Sequence, residues 1–369
     1  MSYATDKRIV LTLDAGGTNL RFSAVQAEKE MFEPVIFSSR SDSLESLLGM
    51  ITAGFKMVES KLPAKPVAIS FSFPGPADYT SGVIGDLQNL PLFRNGVALG
   101  PMLEEIFGIP VYINNDGDLF TYGEAISGLL PKINHKLEEA GNPKRYKNLL
   151  GVTFGTGFGG GIVTGASLFP GDNSAAGEIN RMRNKLYSNF DVEDSVSIRG
   201  VKREYARFAK IDFADAPEPE DIFKIGTGEK EGNREAALKS FETFAIAAGN
   251  TIADAVTLVD GLVVIGGGLS GAHSLFLSRL VQEMNAPFET VAGEPLPRME
   301  ISAFNLEDPE DLGRFVKKTA REIPVPFSSK KVLYDPEKKT GVGVSVLGTS
   351  NAVNIGAYAF ALHQLDLNK

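Results

Sequence analysis

Four short stretches of this sequence have residue types and spacings suited to chemistry. Asp14-Ala15-Gly16-Gly17-Thr18-Asn19-Leu20-Arg21 sets a carboxylate ahead of two consecutive glycines and a hydroxyl. Such glycines let the backbone approach a phosphate and offer N–H donors, and Thr18 adds a hydroxyl. Asp14, at a strand end, is badly placed to touch phosphate but well placed to hold Mg²⁺ through water. An ordinary tight hairpin with an aspartate at its corner fits the same residues. Gly155-Thr156-Gly157-Phe158-Gly159-Gly160-Gly161 contains a formal G-x-G-x-x-G. It runs into a β-branched stretch rather than a helix, which disfavours a dinucleotide fingerprint and suits a phosphate-cradling hairpin; steric packing is the alternative. Ile113-Asn114-Asn115-Asp116 closes a strand before a helical stretch. A carboxylate there serves as a general base or as a helix cap, and position alone favours the cap. Gly266-Gly267-Gly268 follows the buried run Val263–Ile265 and allows either a flat nucleoside on the backbone or tight helix–strand packing.

The elements that must position these residues alternate between strand and helix. Arg8–Leu13 and Leu20–Val25 read as strands about the first glycine turn, and Pro34–Phe37 completes an antiparallel meander. Leu44, Leu47, Leu48, Ile51, Phe55 and Val58 share one helical face, with Asp42 and Glu45 at capping-box spacing. Val67–Phe73 is strand-like, Leu99–Phe107 is a helix closing at Gly108, and Val111–Ile113 begins another strand. Pro131–Lys147 is polar, basic and broken by proline, so a surface hairpin or loop is expected there. Leu149–Phe154 and Gly161–Val163 flank the second glycine turn, as the first pair flanks the first. This repeated strand–turn–strand pattern predicts a duplicated two-lobed α/β protein with both turns facing one cleft. A long helix over 233–259, the strand Leu262–Ile265 and a closing helix over 352–365 complete the plan.

Length and composition narrow the classes of function. The chain has 369 residues, a net charge of −9, no cysteine and three scattered histidines, His135, His273 and His363. The acidic balance argues against a nucleic-acid surface. The missing cysteines exclude disulfides, thiolate metal sites and a cysteine nucleophile. Neither G-x-x-x-x-G-K-[ST] nor H-E-x-x-H occurs. No leader-like segment opens the chain, and the uncharged run 148–171 is punctuated by glycines and Pro170, so a cytoplasmic protein without a membrane span is expected.

Taken in order, the four stretches resemble the sugar kinase/actin/Hsp70 ATPase superfamily, and more closely the ROK family of sugar kinases and repressors. Further matching segments are Phe73-Pro74-Gly75-Pro76-Ala77-Asp78 with Gly82, Asn89-Leu90-Pro91, Ala176-Gly177-Glu178-Ile179 and the closing GTSNAVNIGAYAFAL. The resemblance spans nearly the whole chain. It implies a duplicated actin-like (ribonuclease H-like) fold, with residues 1–117 plus 352–369 forming one lobe and 118–351 the larger one. It implies phosphoryl transfer from Mg·ATP to a sugar hydroxyl, most often the 6-OH of a hexose, with Asp116 as the base. Asn89, Asn115 and Glu178 would bind the sugar, and Glu193 aligns less securely with a further sugar-binding glutamate. Asp14, Gly16, Gly17 and Thr18 would face the γ-phosphate and Mg²⁺, with Gly155, Thr156, Gly157 and Gly159 at the β-phosphate and Gly266, Gly267 and Gly268 along the adenosine. A homodimer is the family expectation.

The sequence also departs from that pattern. Where the family has Gly-His after the glutamate, this chain has Asn180-Arg181, and Tyr187–Asp194 replaces the family's cysteine-rich zinc loop. The resemblance therefore implies no zinc, with Arg181 a candidate for the sugar's C1/C2 side or else an exposed salt-bridging arginine. Three rivals stand beside the kinase. A repressor of the same family would carry a helix-turn-helix ahead of Asp14, where this sequence has thirteen residues. An actin- or chaperone-like ATPase would not need the sugar-side matches. A non-catalytic sugar sensor is motivated by Asn180-Arg181.

Overall fold

The computed structural model describes residues 3–15, 19–75, 77–85 and 91–367. Packing divides the chain into two units. One comprises Met1–Gly128, Gly161–Gly177 and Leu347–Lys369, and the other Leu129–Gly160 and Glu178–Val346.

In the first unit, β1 (Val10–Ala15) pairs antiparallel with β2 (Asn19–Gln26), which also carries β3 (Lys29–Glu30) and β4 (Val35–Ser38). On the other side of β1 lie β5 (Ala68–Ser72) and β6 (Val111–Asn114), both parallel. The period-two alternation of β1 sends Leu11 and Leu13 into an apolar core with Phe22, Ile69, Phe71 and Ile113, while Thr12 and Asp14 take the opposite face. Helices α1 (Leu44–Glu59) and α2 (Leu99–Phe107) cover the apolar face through Ile51, Phe55, Leu99 and Leu103. The cap of α1 is Ser43, whose hydroxyl accepts the Ser46 N–H at 3.2 Å, so a single serine cap one residue later replaces the capping box expected at Asp42 and Glu45. Gly108 ends α2 at φ 63°, a left-handed conformation that glycine adopts without strain.

Helix α3 (Asp116–Ile126) follows β6 directly and packs along the closing helix Thr349–Leu367. Their crossing is made by two glycines. A Cβ on Gly123 would lie 2.0 Å from the Ala352 carbonyl oxygen, and one on Gly356 1.9 Å from that of Leu119. This contact ties α3 to the first unit, and the packing boundary accordingly falls at Gly128 rather than at residue 117.

The second unit opens with α4 (Leu129–Glu139), where the sequence predicted a hairpin or loop. Pro131 sits in its first turn, where a missing N–H costs no helical hydrogen bond, and Leu130, Ile133 and Leu137 bury one face. Strand β7 (Leu149–Phe154) leads through the second glycine turn into β8 (Phe158–Thr164). Parallel to β7 run β9 (Leu262–Gly266), β11 (Lys339–Val344) and β10 (Ser302–Asn305), in that lateral order. Helices α5 (Ile198–Ala209), α6 (Arg234–Val259) and α7 (His273–Met284) complete the unit's framework. Phe154, before the glycine turn, packs against Phe158 after it and against Phe244 and Phe276, at centroid distances of 5.0–5.9 Å. Burying each such ring contributes roughly 2–3 kcal/mol, which anchors both arms of the turn. Among the described residues, no helix is long and apolar enough to cross a membrane.

Candidate active site

The first unit gathers its polar side chains where three parallel strands end. Register places Asp14 beside Ser72 and Ser72 beside Asn114, with Arg21 of β2 across from Asp14. Strands lie about 4.8 Å apart, so these four residues form one lateral row on the face opposite the apolar core. Arg21 is fixed by a bidentate pair to Glu30, at 2.6 and 2.8 Å. The side chain of Asp14 reaches solvent, yet the protein around its carboxyl raises the pKa. Arg21 opposes this rise and the nearby Asp116 carboxylate adds to it. Asn114 is only 4% exposed, and its buried Nδ2 has no partner among the described residues.

The turn from β6 into α3 resolves the two roles open to its Asn-Asp pair. Asn115 is the N-cap, its Oδ1 accepting the Gly117 N–H at 2.7 Å. Asp116 Oδ1 shares the same N–H at 2.9 Å, and the Asp116 side chain is exposed at the first turn. The cap is thus supplied by the neighbour, which leaves Asp116 a carboxylate oxygen for other work. The Asp116 carboxylate is near enough to add to the rise in the Asp14 pKa. Gly16, Gly17, Thr18 and Asn89 lie outside the described residues.

In the second unit, the two other glycine motifs meet at the ends of neighbouring strands. Gly266 of β9 is in register with Thr153 of β7. Gly267 adopts φ 84°, and a Cβ there would stand 2.3 Å from the Phe154 carbonyl oxygen, so close packing demands glycine. A Cβ on Gly268 or Gly155 would meet nothing within 4 Å, so packing does not explain the glycine at either position. Within the turn, the Gly155 N–H bonds to the Gly157 carbonyl at 3.0 Å and the Phe158 N–H to Glu193 Oε2 at 3.0 Å. The N–H groups of Thr156 and Gly157 have no hydrogen-bond partner among the described residues. A Cβ on Gly159 would press on the Thr153 hydroxyl at 2.5 Å.

Glu178 is exposed and precedes the short 3₁₀ turn Ile179–Arg181. The Arg181 side chain is 76% exposed, and its Nη1 stands 3.7 Å from Asp191. Asn180 between them has a buried Oδ1 with no partner among the described residues. Glu193, expected near a sugar, has its carboxylate on the second glycine turn.

Sequence reasoning did not single out Ser72, and it named Asn114 and Asn180 without giving either a contact. The first two depend on strand register, which no local motif encodes. Asn180 was visible as the residue in place of a family glycine, but its orphaned acceptor was not. Among the described residues, no three His, Asp or Glu side chains form a metal-holding group. Asp14 alone nevertheless fits a hydrated Mg²⁺, an ion that usually keeps several waters and takes only one or two protein carboxylates. A cation there would also relieve the unfavourable charge that accompanies the raised Asp14 pKa.

The model of the ROK family matches residues 10–301. A glucokinase crystal structure from Parabacteroides distasonis is 52% identical, with a TM-score of 0.91 over 98% of this chain and 99% of that one. An N-acetyl-D-glucosamine kinase of Photobacterium profundum is 26% identical over 282 residues, 71% of this chain and 85% of that protein. A ROK family glucokinase from Streptomyces griseus, solved with glucose and AMPPNP, shares the fold at 19% identity and a TM-score of 0.57, covering 95% of this chain and 98% of that one. With the family model spanning most of its length and a near-complete structural match at 52% identity, the chain belongs to the ROK family and has the actin-like ATPase fold.

Proposed function

We propose that this sugar kinase transfers the γ-phosphoryl group of ATP to the 6-hydroxyl of a hexose, with glucose as its substrate. The observation that carries the reading is the pair of carboxylates in the first unit, Asp116 exposed on the first turn of α3 and Asp14 at the end of β1. Burial raises the Asp14 pKa, and the Asp116 charge adds to the rise. Phosphoryl transfer requires a base at the attacking hydroxyl and a cation at the phosphates, and these two carboxylates divide that work.

In this reading Asp116 takes the hydroxyl proton onto its unshared carboxylate oxygen as the sugar oxygen bonds to phosphorus and ADP leaves. Its bond to the Gly117 N–H fixes the carboxylate plane. Asn115 keeps its Nδ2 to donate to the sugar, because only its Oδ1 serves the helix cap. Asn89, Glu178 and Asn180 supply further hydroxyl contacts, with Asn180 Oδ1 as an acceptor. Asp14 would hold Mg²⁺ through water, and the ion would supply charge neutralisation at the phosphates. Gly16, Gly17 and Thr18 serve the γ-phosphate, the open N–H groups of Thr156 and Gly157 the β-phosphate, and Gly266 to Gly268 the adenosine. Removal of water from around the reacting groups restrains wasteful hydrolysis of ATP.

Glucose is favoured by the 52% identity to a protein named glucokinase along essentially its full length. An N-acetylated hexosamine is the second reading, because several relatives at 24–28% identity are named N-acetyl-D-glucosamine kinases. The deciding experiment is ADP release from Mg·ATP across a panel of hexoses and N-acetylhexosamines. Asp116→Asn is expected to retain sugar binding and to lose about 10²–10⁴-fold in kcat, the usual worth of a general base. Near-normal turnover by that variant would remove Asp116 from the mechanism, and turnover confined to N-acetylated sugars would exchange the two substrate readings.

A further inference from the structure

The loop between Met182 and Ser195 is braced by one side chain. Asn184 is fully buried. Its Oδ1 accepts the N–H groups of Leu186 and Tyr187 at 3.0 and 3.2 Å. Its Nδ2 donates to the Asp191 carbonyl at 3.2 Å and the Ser195 hydroxyl at 2.8 Å. The Val192 N–H closes the neck of the loop on the Met182 carbonyl at 2.9 Å. The loop is fastened to α5 by the Tyr187 hydroxyl, which donates to Glu204 Oε1 at 2.9 Å, and by an ion pair between Arg203 and Asp194.

This bracing places Glu193. Its Oε2 accepts the Phe158 N–H at 3.0 Å and occupies the space that a Cβ on Gly157 would enter, 2.7 Å away. The other end of the turn is held by the Ile198 N–H of α5, which reaches the Gly155 carbonyl at 2.8 Å. Loop and helix therefore grip the turn at both ends and leave the N–H groups of Thr156 and Gly157, at its tip, available to an anion.

We propose that Glu193, braced by Asn184, is a positioning residue for the phosphate turn Gly155–Phe158 rather than a ligand of the sugar. The inference rests on the kinase reading and adds to it a device that presets the turn before nucleotide arrives. A carboxylate beside a phosphate site is electrostatically adverse, so its contribution here is as a hydrogen-bond acceptor. Glutamine, which keeps an acceptor oxygen on the same stem, retains the function.

The test measures affinity for a fluorescent Mg·ADP analogue, KM for ATP, KM for the sugar and Tm in the full chain. Glu193→Ala is expected to weaken nucleotide binding about 10–30-fold, the scale of one lost charge-assisted hydrogen bond, with the sugar KM within about 3-fold of normal. Glu193→Gln should restore nucleotide affinity to within about 3-fold. Asn184→Ala should move nucleotide affinity in the same direction, and combining it with Glu193→Ala should add little, because both act on one contact. Should Asn184→Ala fail to fold, the alanine and glutamine variants of Glu193 decide alone. A raised sugar KM with unchanged nucleotide affinity in Glu193→Ala overturns the proposal and returns Glu193 to the sugar. Failure of glutamine to rescue overturns the acceptor argument. Failure of the wild-type chain to bind the Mg·ADP analogue refutes the kinase reading itself, a result distinct from either.

Discussion

Gly123→Ala tests whether the crossing of α3 with the closing helix positions Asp116. The added Cβ would stand 2.0 Å from the Ala352 carbonyl oxygen, 2.8 Å from its carbon and 3.1 Å from its Cα. All three are backbone atoms of a helix, so no side chain can rotate away. Restoring ordinary contact distances of about 3.5 Å requires the helices to separate by roughly 1–1.5 Å. Overpacking of this kind costs about 1–3 kcal/mol, and a backbone obstacle puts the cost near the upper end. The better helix propensity of alanine returns about 0.5–1 kcal/mol, leaving a net destabilisation of about 2 kcal/mol. Asp116 begins the same helix, two turns away, and a displacement of about 1 Å at a catalytic group costs on the order of 10²-fold in rate. Gly49→Ala is the control: it lies within α1, where a Cβ meets nothing within 4 Å, and should stabilise by about 0.5–1 kcal/mol with kcat unchanged. Denaturant unfolding and steady-state kinetics on both variants measure these effects. If Gly123→Ala matches Gly49→Ala in stability and in kcat, the glycine crossing does not position the base.

Two further variants probe the site. The raised pKa of Asp14, caused first by burial and then by Asp116, means that protonation favours the fold. Stability should therefore decline as pH rises from the carboxyl's ordinary value of 3.8 through its higher folded value, while affinity for Mg·ATP increases over the same interval. Asp14→Asn should abolish the site's share of both trends and raise Tm at neutral pH while weakening Mg·ATP binding, and a variant with lower Tm and intact binding refutes the argument. Asn180→Ala removes an acceptor that has no protein donor among the described residues, so it should leave Tm unchanged or higher and raise the sugar KM about 5–15-fold. An unchanged sugar KM with a lower Tm would make Asn180 structural.

The parts of the site that were legible in the sequence are those encoded by adjacent residues. Glycine runs flanked by apolar strands mark turns, and an aspartate at the strand end marks a possible metal or base position, because both signals need only a few consecutive residues. Register is a different matter. Ser72 and Asn114 join Asp14 only because β1, β5 and β6 are parallel and aligned at those positions, and a shift by one residue would turn each side chain to the other face. The helix over 129–139 was obscured by a polar composition and Pro131, although Leu130, Ile133 and Leu137 carry the helical spacing and proline is tolerated in a first turn. Gly123 and Gly356 carry no local signal of their role, and only the facing backbone shows that no other residue fits. Glu193 entered only through the family resemblance, as a sugar-binding glutamate, and its bond to the Phe158 N–H was not legible because it joins residues 35 apart in the sequence.

The same local plan therefore supports two unlike environments. Each unit sends parallel strands to a common edge. In the first unit that edge carries Asp14, whose pKa is raised by the protein around it and by the Asp116 charge against the opposing pull of Arg21, so a cation there would favour its charged form. In the second unit, the turn Gly155–Phe158 contains no acidic residue and offers unpaired N–H groups, and the Glu193 carboxylate beside it is already engaged with the Phe158 N–H. An anion alone suits the second environment and is repelled by the first, whereas a cation alone suits only the first. On the kinase reading, the first unit's affinity for phosphates is accordingly conditional on the metal, so added Mg²⁺ should strengthen nucleotide binding through Asp14.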